Sequence, residues 1–74
     1  MNRVTARDLL VKCVASINSG DDFPTVWATM LKRDPLVLGP PVSTIKDGRA
    51  CLEIFLITGQ RLVFYSESKV FSLS

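Results

Sequence analysis

Two thiols, Cys13 and Cys51, seven carboxylates and no histidine are what this chain offers for chemistry. Histidine is the commonest general base, so proton transfer would fall to Asp or Glu. Cys51 lies two residues from Glu53 on an extended segment and so on the same face. A carboxylate beside a thiol works against the thiolate, and Cys51 therefore lacks the activation a nucleophile needs. Asp21 and Asp22 could hold a cation weakly, but their place before Phe23-Pro24 suits the capping of a helix. The cysteines stand far apart and no imidazole accompanies them, which leaves no zinc spacing. Cys13 falls on a helical apolar stripe. Both thiols read as reduced, small apolar residues, the usual state in a chain with only two cysteines and no signal peptide. We therefore expect no catalysis, no metal and no cofactor.

Nucleic acid offers a second kind of chemistry. Nine Lys and Arg stand against seven Asp and Glu, a net charge of +2, with the basic residues spread along the chain. That balance is weak for a polyanion partner. Two helices joined through Ser19-Gly20-Asp21-Asp22 resemble a helix-turn-helix, and Lys46 and Arg49 flank a hairpin that could serve as a wing. A recognition helix turns its N-terminal end to the groove, and here that end carries two aspartates facing phosphate. Arg61 among aromatic residues could form a stacking platform for single strands, but such sheets carry more Lys and Arg. A nucleic-acid-binding regulator using the helix pair or the Lys46–Arg49 hairpin stays as the alternative reading.

Seventy-four residues with 47% hydrophobic content make one small domain. A chain of this size buries only about 60% of its unfolded surface, and such domains often need a disulfide, a metal or an oligomer for support. Arg3 and Arg7 precede no signal-like apolar core, because Asp8 and Lys12 interrupt it. No apolar run approaches the ~20 residues that span a bilayer. A cytoplasmic location is the simplest expectation.

Thr5 with Asp8 three residues on is a capping box with Asp in the usual Glu position. Leu9, Leu10, Cys13, Val14 and Ile17 then form one helical stripe, with Arg7, Lys12, Ser16 and Ser19 opposite. Gly20 ends this helix, over about residues 6–19. A second helix, about 23–33, carries Phe23, Val26, Trp27, Met30 and Leu31 inward. Pro35 stops it by disfavouring helical geometry at Asp34. The two make an αα-hairpin. Leu36 to Pro41 is an extended apolar edge, and four strands follow at about 42–46, 50–56, 60–66 and 69–73.

Turn chemistry sets the register of those strands. Asp47-Gly48 is a two-residue hairpin signal that pairs Lys46 with Arg49. Between strands two and three, a loop of Ile57-Thr58-Gly59 pairs Ile54 with Leu62 and Leu52 with Phe64, apolar with apolar. A one-residue slip would swap the faces. A two-residue loop at Glu67-Ser68 pairs Phe64 with Phe71 and Leu62 with Leu73. The fold class is α+β, with the αα-hairpin packed on one face of an antiparallel meander of order 1-2-3-4. That face, A, holds Ile45, Leu52, Ile54, Leu56, Leu62, Phe64, Phe71 and Leu73.

The opposite face, B, holds Val42, Thr44, Cys51, Glu53, Phe55, Ile57, Arg61, Val63, Tyr65, Val70 and Ser72, and no element is left to cover it. An uncovered apolar patch of this size marks an association surface. We expect Glu53, Phe55, Ile57, Arg61, Val63, Tyr65 and Val70 to form a protein interface. The function expected is a small non-catalytic protein-binding module, regulatory or inhibitory. It would act through the apolar sheet face or a strand edge, and brevity suggests a bacterial or mobile-element origin. The partner would be another protein or a second copy, with neither a membrane nor a small-molecule substrate. A homodimeric structural subunit of a larger complex is the further alternative.

Overall fold

The computed structural model of the chain describes residues 5–74. Arg3 lies outside the described residues. Helix α1 covers Ala6–Asn18, opened by the capping box. Thr5 Oγ1 accepts from the Asp8 amide at 3.2 Å, and Asp8 Oδ2 accepts from the Thr5 amide at 3.1 Å. Two backbone donors that a helix N-terminus leaves orphaned are thereby satisfied. Gly20 follows with a φ of 101°, a left-handed residue that turns the chain after the last helical turn.

The second helical segment departs from the expected regular helix. Asp22 caps it through the Thr25 amide, and α2 spans only Phe23–Val26. Trp27–Leu31 is then a π-turn, closed by the Lys32 amide on the Trp27 carbonyl at 2.8 Å. Thr29 supplies a local reason. Its hydroxyl donates to the Thr25 carbonyl at 2.7 Å, a back-bond that destabilises and bends a regular helix. The wider turn aligns Val26 and Leu31, both fully buried.

Four strands form one antiparallel sheet in the order β1-β2-β3-β4, with β1 Val42–Lys46, β2 Arg49–Phe55, β3 Arg61–Tyr65 and β4 Val70–Leu73. The register follows the turn chemistry. Lys46 pairs Arg49, Ile54 pairs Leu62, Leu52 pairs Phe64, Phe64 pairs Phe71 and Leu62 pairs Leu73. Gly59, with a φ of 87°, closes the second turn by donating to the Leu56 carbonyl at 3.0 Å. The third turn keeps its register but is wider than two residues. Lys69 takes a left-handed φ of 56°, and its amide reaches back to the Tyr65 carbonyl at 2.8 Å.

Helix α1 lies across β4, and the core fills the space between helices and sheet. It holds Leu9, Cys13, Val26, Leu31, Ile54, Leu56, Leu62, Phe64 and Phe71, with Trp27 and Met30 packed at its margin. Each large aliphatic side chain buried there contributes about 1.5–3 kcal/mol relative to exposure. Phe23 locks the second helix to the sheet, its ring 5.0 Å from Phe64 and 6.1 Å from Phe71.

Three positions on the helix side differ from the periodic reading. Ser16, expected outside, is buried, because its hydroxyl donates to Asp21 Oδ2 at 2.6 Å; Val14 turns outward instead. Ile45, expected under the helices, is 73% exposed. The helices sit toward β4 and leave the β1 end of face A bare.

Candidate protein interface

Face B is built around one carboxylate. Glu53 stands on β2, opposite Val42 of β1 and Val63 of β3. Its Oε1 meets Lys46 Nζ at 2.8 Å and its Oε2 meets Arg61 Nη1 at 3.5 Å. Lys46 is four residues along β1 from the residue facing Glu53, so its side chain must lie along the sheet past the Thr44–Cys51 pair. The hydrogen bond from Lys46 is the main cause of a lowered Glu53 pKa, helped by the charges of Lys46 and Arg61 against the opposing effect of burial.

This clamp alters the expected interface. Glu53 is 6% exposed and Val63 only 2%. Register surrounds Val63 with Glu53, Ser72, Arg61 and Tyr65. The expectation that Val63 and Glu53 lie open on an uncovered face is corrected: same-face neighbours close the centre without a second layer. Arg61 and Tyr65 are half-buried. Phe55, Ile57 and Val70 are exposed, Val70 opposite Tyr65 and Phe55 opposite Arg61.

The open apolar surface gathers at one corner. The connector Leu36–Leu38 continues the β1 side of the sheet. Val37 bridges Leu56, the Leu38 amide donates to the Phe55 carbonyl at 2.9 Å, and the Ile57 amide donates to the Leu36 carbonyl at 2.8 Å. Opposed residues share a face, so Leu38 joins Phe55, with Val42 diagonal to it. Leu38 is 63% and Ile57 59% exposed. Leu38 was not among the candidate residues. The alternation in Leu36-Val37-Leu38 carried the signal, but Gly39-Pro40-Pro41 hides the pairing because prolines cannot sustain a ladder.

The thiols occupy opposite sides of the sheet, both free and buried. Cys13 lies in the helix-side core, where burial, helped by the charge of Asp34, pushes its pKa up to about 11. Cys51 lies on face B with Sγ 3.6 Å from the Thr44 carbonyl. Among the described residues no group of three or more His, Cys, Asp or Glu is placed to hold a metal ion. No described helix is long and apolar enough to cross a membrane.

No family model, curated protein or solved structure matches the chain.

Proposed function

We propose that the chain is a small protein-binding module without catalytic activity, regulatory or inhibitory in role, whose contact surface is the corner formed by Leu38, Val42, Phe55 and Ile57. The observation that carries this reading is their shared exposure on one end of face B, bordered by the Glu53 ion cluster. An apolar centre with a charged rim is the usual anatomy of a protein interface. The two helical segments, read as an αα-hairpin, serve as the scaffold for the sheet. Two reduced, buried thiols favour a reducing compartment such as the cytoplasm. The nucleic-acid alternative is weakened by Lys46, whose ammonium is turned back onto Glu53 and away from any phosphate.

The test is the double substitution Phe55→Asp with Ile57→Asp. Both residues are exposed, so helical signal and melting temperature should stay close to those of the parent, while complex formation with the host partner falls at least about tenfold, a loss of 1.4 kcal/mol or more. A double variant that still binds like the parent would sink the proposal.

A further inference from the structure

The free edge of β4 is a different surface from the corner. Ser74 and Arg61 exchange both backbone hydrogen bonds, at 2.8 and 2.9 Å. Antiparallel strands alternate between residues that bond inward and residues that point outward. With Ser74 bonded inward to β3, Ser72 and Val70 follow it, and Phe71 and Leu73 direct their amides and carbonyls away from the sheet. Among the described residues neither Phe71 nor Leu73 makes a backbone bond outside the sheet.

Helix α1 runs beside this edge and leaves two hollows along it. One, of about 570 Å³, lies among Arg7, Leu10, Val11 and Leu73. The other, of about 190 Å³, lies among Val14, Ile17, Lys69 and Phe71. Residues 7, 11, 14 and 18 recur at helical spacing, so a single face of α1 borders the whole edge. Val11 and Val14 on that face remain exposed. A strand added about 4.8 Å beyond β4 would place alternate side chains against these valines and satisfy the outward groups of Phe71 and Leu73.

We propose that the groove between α1 and β4 receives an extended peptide of a partner protein, apolar at alternate positions and acidic at both ends, which adds a fifth strand to the sheet. Charge selects this occupant. Arg7 stands at one end and Lys69 at the other, and no carboxylate lines either hollow. Asp22 is near enough to Lys69 to feel its charge but borders neither hollow. A second copy joined antiparallel through β4 would set Lys69 of each chain against the Arg7 end of the other, a like-charge contact. The β1 edge is the poorer acceptor. No helix flanks it, and Pro41 removes a donor at the start of the strand. Main-chain bonds supply the affinity in strand addition, and alternate side chains supply the specificity.

The experiment titrates the full chain, labelled for amide NMR, with the peptide Asp-Val-Thr-Val-Thr-Val-Glu and with Lys-Val-Thr-Val-Thr-Val-Lys. The acidic peptide should slow exchange of the Phe71 and Leu73 amides at least about tenfold at saturation. The lysine peptide should bind about tenfold or more weakly. Val11→Asp, at an exposed helix position, should remove binding without lowering the melting temperature, whereas Phe55→Asp should bind as the parent does. Equal binding of both peptides, protection at Ser43 and Ile45 in place of Phe71 and Leu73, loss of binding in Phe55→Asp, or no binding would overturn the proposal. So would a doubling of native mass through β4 that excludes the peptide.

Discussion

Glu53 decides how face B behaves. Held between Lys46 and Arg61, it converts the middle of an apolar sheet face into a closed ionic seam, and Val63 beside it becomes interior. Val63→Asp should therefore unfold the domain, because it buries a second carboxylate next to Glu53 and sets the two against each other for the one guanidinium of Arg61. Thermal melting followed by circular dichroism checks this, and a folded variant with normal stability would place Val63 back on the surface. The same carboxylate sets an acid limit. Folding lowers the pKa of Glu53 chiefly through the Lys46 hydrogen bond, and lowers those of Asp8 and Asp22 chiefly through the cap bonds with Thr5 and Thr25. Such groups stabilise the fold fully above the ordinary carboxylate range and lose that contribution as pH falls through their depressed values. Melting temperature should hold from neutrality down to the usual carboxylate range and drop below it. Glu53→Gln should flatten that drop, and an unchanged acid limb in this variant would show that the clamp is energetically silent.

The strands and turns were largely legible in the sequence, because each turn has few solutions and only one register keeps apolar residues together. Gly59 carries the most weight in that logic. Its φ of 87° is left-handed and nothing lies within 4 Å of where a side chain would begin, so replacement tests backbone strain alone. Gly59→Val should cost about 1–2 kcal/mol, measured by denaturant unfolding. A neutral result would require a different loop. The helical half was less legible. A period of 3.6 residues places Val26 and Leu31 inward, as they are, but cannot foresee the π-turn at Trp27–Leu31, nor that Ser16 is drawn inward by Asp21. Ile45 was misplaced for a reason of extent. Periodicity assigns a residue to a face, but only the position of α1 over β4 tells how much of that face is roofed. The corner was read in part, through Phe55 and Ile57, while Leu38 was hidden behind two prolines.

The described residues measure 41 × 27 × 17 Å along their principal axes. Their smallest dimension fits one sheet with one helical layer, since packed layers lie about 10 Å apart. The corner at Leu38 and Phe55 lies on the β1 side of this slab and the α1–β4 groove on the other edge, so two partners could be held without collision. The two buried thiols add a different capability. Cys13 is sealed on the inner side of α1, where burial raises its pKa further above neutrality; Cys51 is shielded by the strand that holds Thr44. Reaction with a disulfide reagent requires the thiolate and access, so each cysteine is a stopwatch for one local opening. Labelling of Cys51 times the peeling of β1, and labelling of Cys13 times the lifting of α1. In single-cysteine variants, with Ala at the other site, Cys51 should label faster than Cys13, because the unroofed β1 edge opens at lower cost than the core. Equal rates, matching global unfolding, would mean that the slab opens only as one piece. A partner seated in the α1–β4 groove should slow the Cys13 clock and leave that of Cys51 running at its own pace.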